Sequence, residues 1–171
     1  MSMSTNDIYR PEVIDYVTQS VRFCLLLEKI GEKEKRDFEK ECLALLPMVY
    51  VGAERLLALM EDEQADEIMH FVSEDDYNYV AEGVRTLLGE SDAYLEVFMD
   101  EMKFSDTPIT CFLSENMADI YQELKAMAAN FQTENESVMA QAVAYSLLGF
   151  REHWGQKLLN AMRALHADYF A

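Results

Sequence analysis

The sequence is poor in the residues that interrupt helices, with six glycines and three prolines among 171 residues. An all-β sandwich or barrel of this length needs far more turn residues, so that class is excluded. Half of the residues are apolar, which is enough to fill a core and excludes a largely disordered chain. The composition predicts a single all-α domain over residues 1–171, a compact bundle of about six or seven helices.

Positive charge is also scarce, because 14 lysines and arginines stand against 32 acidic residues and leave a formal net charge of −18. Nucleic acids and anionic membranes both require a basic surface, so direct binding to either is excluded. The segment 61–106 holds 15 acidic residues against Arg85 and Lys103, and therefore 13 of the 18 net charges. Such a run is usually a solvated face, but it is also suited to docking a basic protein partner.

Long apolar runs and paired cysteines are absent as well. No run approaches the ~20 residues that cross a bilayer, and no secretory signal is recognisable. The three cysteines are odd in number and lack C-x-x-C spacing, which favours a reducing cytoplasm. Cys24 and Cys42 fall on apolar stripes of the first two helices, so we expect them near one another in the core as thiols. Residues 1–8 are expected to form a flexible tail.

Apolar residues at helical spacing place the first helices. One begins near Tyr9, with Pro11 in its opening turn, and ends at Gly31. A second apolar stripe runs from Phe38 to Met60 and crosses Pro47, where we expect a kink or a break.

The middle of the chain predicts two further helices. Ser73 and Asp76 resemble a capping box for a helix from about Glu74 to Leu88, which Gly89 ends. A short helix is then expected after Ser91 or Asp92, carrying the apolar residues Tyr94, Leu95, Phe98 and Met102.

The C-terminal part predicts two long helices, at Ile109–Phe131 and Val138–Tyr169. The link Gln132–Glu136 is short enough to make them antiparallel neighbours, and Thr133 with Glu136 predicts a capping box. The second helix would extend ~50 Å.

Several chemical motifs are missing. The chain has no G-x-G-x-x-G, G-x-x-x-x-G-K-[ST], G-x-S-x-G or H-E-x-x-H motif. A phosphate cradle of glycine-rich backbone therefore has no place to form, and the common enzyme classes are unsupported. No cofactor is indicated.

The histidines offer weak candidates for a metal site. Glu67 and His70 have the E-x-x-H spacing of di-iron bundles, but those bundles need two such helices and this chain has one copy. His70, His153 and His166 could form a three-histidine site. However, His153 and His166 would stand about 220° apart around one straight helix. We therefore expect no metal site and keep only Glu67 and His70 as weak candidates.

A polar strip on the first C-terminal helix has two interpretations. Asn116, Asp119 and Glu123 lie at i, i+3 and i+7, and they could line a groove in which Asp119 acts as an acid or a base. Alternatively, they form a solvent face, or Asp119 holds a neighbouring helix. In an antiparallel pair His153 lies nearest this strip, so we expect it to contact Asp119 or Asn116. Trp154 falls on the core stripe beside it and needs a partner for its indole N–H.

Two stretches resemble a known family. Leu113-Ser114-Glu115-Asn116-Met117-Ala118-Asp119-Ile120-Tyr121-Gln122-Glu123-Leu124-Lys125, and His153-Trp154-Gly155 continuing to Arg163-Ala164-Leu165-His166, are similar to signatures of an uncharacterised bacterial family, domain of unknown function 5063. Glu123 stands where a shorter Asp is expected. The resemblance implies a small cytoplasmic helical protein whose characteristic positions are Asp119, Tyr121, His153 and Trp154, and it gives them no role.

Two hypotheses for function remain open from the sequence. The first is a non-enzymatic interaction or regulatory module that docks a protein partner on an acidic face. The second is a helical-bundle enzyme that binds a metal or a small ligand through Asp119, Glu123 and His153. The candidate polar site comprises Asn116, Asp119, Tyr121, Glu123, His153 and Trp154.

Overall fold

The structure is a computed structural model that describes residues 3–60, 65–96 and 98–171, the side chain of residue 101 excepted. The all-α class is confirmed, with a short two-stranded sheet added. Residues 61–64 of the predicted acidic segment lie outside the described residues. The elements are α1 (Pro11–Glu28), α2 (Lys35–Leu57), α3 (Glu74–Leu88), β1 (Ala93–Glu96), β2 (Ile109–Phe112), α4 (Leu113–Phe131), α5 (Glu136–Gly149) and α6 (Gly155–Tyr169).

Helix α4 is the centre of the fold, since it packs against α1, α3, α5 and α6. Its predicted apolar stripe is confirmed from Leu113 to Met127, because every member of that part is buried. The apolar faces of the surrounding helices close on this stripe and form one large core. The helix thereby carries its polar strip along the border of that core.

Residues 3–8 pack on the domain, although a flexible tail was expected over residues 1–8, of which the structure describes 3–8. Met3 and Ile8 are fully buried, Met3 against the main core and Ile8 beside Met139. The chain then enters α1 at Pro11, which occupies the first helical position as predicted.

Helix α2 does not break at Pro47, so that part of the prediction is wrong. The helix continues from Lys35 to Leu57 with Pro47 inside it. Proline removes one backbone hydrogen bond, but Leu46 and Val49 are buried on either side of it and hold the helix in place. Tertiary packing therefore overrides the local preference of proline.

The predictions for α3 are confirmed and those for the next segment are wrong. Ser73 and Asp76 form the capping box of α3, and Gly89 follows its end with φ 58°. The expected short helix after Asp92 is instead strand β1, which pairs antiparallel with β2 in the register Tyr94 to Cys111 and Glu96 to Ile109. Helix α4 consequently begins at Leu113 and not at Ile109.

Asp92 explains this arrangement. Its side chain is buried and accepts hydrogen bonds from the Ser114 backbone N–H at 2.6 Å and from the Ser114 hydroxyl at 2.7 Å. It therefore caps the N-terminus of α4 from a distant part of the chain, instead of starting a helix of its own. The residues between Asp92 and Ser114 are left to form the hairpin.

The last helical stretch is interrupted by a π-turn at Phe150–Trp154, in which the Gly155 N–H donates to the carbonyl of Phe150. The π-turn joins α5 directly to α6 where a single straight helix was predicted. The predicted capping box at Thr133 is also wrong, because Asn135 caps α5 by accepting from the backbone N–H groups of Ser137 and Val138. The pairing of α4 with both α5 and α6 follows the expected order.

Two further expectations concern the thiols and the membrane. Cys24 and Cys42 are free and buried within the same core, and burial raises the pKa of both thiols. Among the described residues, none of the helices combines the length and the apolar character that a membrane span requires.

Candidate functional site

A cavity of about 480 Å³ lies between α4, the π-turn, α6 and the hairpin. Five of the six candidate polar residues line it, namely Asn116, Asp119, Glu123, His153 and Trp154. The predicted polar strip of α4 thus faces a cavity and not open solvent. Strand β1 supplies the opposite wall through Tyr94 and Glu96, and α6 supplies Gln156, Lys157 and Asn160.

Asp119 joins three helices at one end of this cavity. Its Oδ1 accepts a hydrogen bond from the Tyr77 hydroxyl of α3 at 2.7 Å, and its Oδ2 accepts from Lys157 Nζ of α6. Burial and this hydrogen bond raise the pKa of Tyr77, so its hydroxyl stays protonated and keeps donating. Because both carboxylate oxygens are occupied, Asp119 is placed to hold the helices together, and the geometry does not support its use as a general base.

Glu123 lies one turn further along α4 and differs from Asp119 in its hydrogen bonding. It is half-buried and lines the cavity, yet among the described residues it takes part in no hydrogen bond or ion pair. Burial raises the pKa of this carboxyl group, while the nearby charges of His70 and His153 oppose that rise. Glu123 therefore presents a carboxylate to the cavity to which none of the described residues donates.

Trp154 fixes the wall next to Glu123. Its ring is buried and its indole Nε1–H donates to the Ser146 carbonyl at 3.0 Å, which supplies the partner that the sequence required. A Cβ at Gly149 would stand 3.2 Å from the indole and 3.4 Å from Glu123 Oε2. The glycine thus leaves room for the indole ring and the carboxylate to lie side by side.

The expected contact of His153 with Asp119 or Asn116 is wrong. The imidazole is 76% exposed, and its ion-pair partner is the adjacent Glu152, with His153 Nε2 3.8 Å from Glu152 Oε2. Asp119 binds Lys157 in its place, and Asn116 donates to the Tyr94 hydroxyl. His153 lines the cavity only at its mouth, beside Glu152.

Tyr121 is the one candidate that lies elsewhere. Its hydroxyl donates to Glu28 Oε1 at 3.0 Å, and Lys125 binds the same oxygen. This cluster connects α1 with α4 on the far side of α4 from the cavity, since Tyr121 is two residues from both Asp119 and Glu123. Tyr121 therefore belongs to the packing of α1 and not to the cavity.

The metal candidates do not come together. Glu67 and His70 lie in the irregular segment before α3, so they do not share a helix face, and the His70 ring packs against Tyr145 with centroids 6.0 Å apart. His166 packs instead against Phe170. Within the described part of the chain, no group of three His, Cys, Asp or Glu side chains is arranged to hold a metal ion.

Sequence reasoning missed the polar residues that β1 and α6 contribute to the cavity. Glu96 is buried on β1 and accepts from the Phe98 backbone N–H at 2.8 Å and from Asn160 Nδ2. Tyr94 accepts a hydrogen bond from Asn116, and Lys157 donates one to Asp119. Gln156, Lys157 and Asn160 form a polar strip at i, i+1 and i+4 on α6, which could have indicated a partner for the strip on α4. The two residues of β1 gave no such signal, because the strand itself was not predicted.

The chemistry of the cavity is that of a polar, acidic binding site. Its wall carries the carboxylates of Glu96, Asp119, Glu123 and Glu152 against a single lysine, and that lysine is bound to Asp119. The amide side chains add neutral hydrogen-bonding groups. Burial raises the pKa of the Cys111 thiol in this wall, so the nucleophilic thiolate is disfavoured. The arrangement favours binding of a positively charged group over nucleophilic chemistry.

Comparison with known proteins places the chain in a family. A family model described as "Domain of unknown function (DUF5063)" matches residues 7–171. The chain is similar to protein BF1032 from Bacteroides fragilis, whose crystal structure it matches with 31% sequence identity and a TM-score of 0.80, covering 94% of each chain. None of the curated proteins matches it.

Proposed function

The chain belongs to the DUF5063 family, and we propose that it is a binding protein whose cavity takes a cationic group of a polar ligand. The observation that carries this proposal is the half-buried carboxylate of Glu123, which no donor of the described residues satisfies. An amine or a guanidinium supplies both the opposite charge and the hydrogen bonds that this group lacks.

The remaining wall supports the same ligand class. Asn116 and Asn160 are held by Tyr94 and Glu96, so their positions are fixed before a ligand arrives. Gln122 and Gln156 also line the cavity and can bind neutral polar parts of the ligand. A cation is further attracted by the net charge of −18.

Binding without catalysis fits the state of the potential reactive groups. Asp119 has both oxygens occupied, and burial disfavours the Cys111 thiolate. Free buried cysteines support a location in a reducing compartment such as the cytoplasm. The proposal keeps one part of the hypothesis of a helical-bundle enzyme, namely the binding of a small ligand. It does not include catalysis or a metal ion.

The test is a calorimetric titration at low salt with agmatine, putrescine and lysine amide, together with succinate and glucose as anionic and neutral probes. We expect at least one cation to bind and neither of the other two probes to do so. Glu123→Gln keeps the shape of the side chain and removes its charge, so it should weaken binding by about tenfold or more.

The matched control is Glu115→Gln, an exposed glutamate of the same helix that does not line the cavity. Its affinity for the cation should stay close to that of the wild type. The proposal is refuted if none of the cations binds at millimolar concentration, or if Glu123→Gln binds them as tightly as the wild type.

A further inference from the structure

The hairpin arm, which we define as residues 93–112, carries apolar side chains that nothing in the described structure covers. Leu95 is 61% exposed, Phe98 is 70% exposed and Phe104 is 92% exposed. Met99 and Phe112 are exposed to a smaller extent. A group of large apolar side chains on one short arm is unusual for a surface that faces only water, and it is typical of a protein–protein contact.

The same arm forms one wall of the cavity. Side chains alternate along a strand, so Tyr94 and Glu96 face the cavity while Leu95 between them faces outward. Met99 lines the cavity and is also exposed, and Phe98 precedes it. The uncovered apolar surface therefore begins at the mouth of the acidic cavity.

The cavity mouth is too open to enclose a small ligand completely. Glu152 and Lys157 line it with about half of each side chain exposed, and His153 is still more exposed. Small-molecule sites usually bury most of their ligand. An occupant whose charged end binds Glu123 therefore has its other end outside the cavity, whose wall includes the exposed Met99 of the arm.

Charge decides which kind of molecule fits this surface. A second copy of the chain would bring a net charge of −18 against the same −18, and an anionic membrane would be repelled in the same way. On the arm itself, Asp100 and Asp106 are exposed, and the exposed Lys103 is paired with Asp100. A partner with basic and apolar residues complements both properties.

We propose that the arm and the cavity together bind a segment of another protein that carries a lysine or an arginine beside apolar residues. The cationic end of that side chain enters the cavity at Glu123, and the apolar residues next to it cover Phe98 and Met99. A long basic side chain suits this geometry, because its methylene stem is apolar and only its end is charged. This inference rests on the proposed function, since it names the molecule that supplies the cation.

The experiment begins with selection of binders from a displayed library of random dodecapeptides, using the full chain as the bait. Enriched peptides are then measured by fluorescence polarisation against the wild type, Glu123→Gln and Phe98→Ser. Phe170→Ser is the control, because Phe170 is 66% exposed and belongs neither to the arm nor to the cavity wall. Each peptide is also made with citrulline or norleucine in place of its basic residue, and agmatine is added as a competitor.

We expect the enriched peptides to share a basic residue flanked by aliphatic or aromatic residues. Their affinity should fall about tenfold or more when the basic residue is replaced, in Glu123→Gln and in Phe98→Ser, and it should be unchanged in Phe170→Ser. Agmatine should displace them.

Two results overturn the inference and separate it from the proposed function. The proposed partner is wrong if agmatine binds the wild type but no such peptide is enriched, or if the peptides bind Phe98→Ser as tightly as the wild type. In both cases the proposed cation site is not contradicted. If the peptides bind but are insensitive to Glu123→Gln and to loss of their basic residue, and agmatine does not bind, both proposals fail.

Discussion

Glu39 is a buried carboxyl group at the contact between α2 and the end of α6. As a carboxylate, its Oε1 would have no hydrogen-bond partner within the described part of the chain. Asp168 beside it accepts from the Ser91 hydroxyl at 2.8 Å and lies 2.7 Å from Lys35 Nζ. Burial, followed by a hydrogen bond to Asp168, raises the pKa of Glu39 to about 7. The pKa of Asp168 falls to about 2, chiefly because Glu39 and Lys35 donate to it. Glu39 is thus a neutral donor below pH 7.

This raised pKa predicts how stability depends on pH. Between the ordinary pKa of 4.5 and about 7, the folded protein keeps a proton that the unfolded chain has lost, so the free energy of unfolding falls as pH rises through this window. We expect Glu39→Gln, which stays neutral and still donates to Asp168, to raise the melting temperature at pH 8 and to change it little near pH 4.5.

Thermal melts across this pH range check the prediction. Glu54→Gln, an exposed glutamate of the same helix, serves as the control and should keep the wild-type profile. An identical pH profile for the wild type and Glu39→Gln would show that Glu39 is ionised throughout.

At the scale of single elements, the π-turn determines which side chains reach the cavity. A π-turn holds more residues per turn than an α-helix, so residues beyond Phe150 take different angular positions from those of a straight helix. Lys157 consequently reaches Asp119, and His153 points to solvent. The core stripe of the last helical stretch was therefore predicted correctly, although the partner predicted for Asp119 was wrong.

Gly155 allows this turn to form, and its replacement tests the turn. A Cβ at this position would stand 2.4 Å from the Phe150 carbonyl oxygen and 2.9 Å from its ring, a collision that a flexible side chain alone cannot relieve. We expect Gly155→Ala to lower the free energy of unfolding by about 1–3 kcal/mol, despite the better helix propensity of alanine.

Urea denaturation measures this loss. Gly31→Ala is the control, because no neighbouring atom among the described residues lies within 4 Å of a Cβ there. The control should stay within about 0.5 kcal/mol of the wild type. A Gly155→Ala protein as stable as the wild type would mean that the backbone can return to an ordinary α-helix at this point.

The sequence predicted the helices and the polar strip of α4 because both depend on local spacing. Asn116, Asp119 and Glu123 share a face through the geometry of one helix, so their convergence followed from the sequence alone. The strands could not be predicted in this way, because the spacing of Tyr94, Leu95 and Phe98 fits a helix as well as it fits a strand. What decides between them is the long-range capping of α4 by Asp92, which lies 22 residues before Ser114.

At the scale of the whole molecule, the excess of negative charge destabilises the folded state. A net charge of −18 repels itself in the folded state, and the exposed ion pairs, such as Arg85 with Glu82, offset little of it. The expected consequence is that screening by salt stabilises the protein.

We therefore expect the melting temperature to rise when sodium chloride increases from about 20 to 500 mM, because the Debye length then becomes shorter than most separations between surface charges. A nonionic solute at equal osmolality gives the control for excluded-volume effects. A melting temperature that falls with salt would show that attractive ion pairs outweigh the repulsion.

The central claim, that the cavity binds a cation at Glu123, can be tested through the single tryptophan of the chain. Trp154 lines the cavity next to Glu123, so its fluorescence reports on that site. During a titration with agmatine at low salt, we predict a saturable change in this fluorescence that Glu115→Gln retains and Glu123→Gln loses. No change in the wild type, or an equal change in Glu123→Gln, would contradict the account.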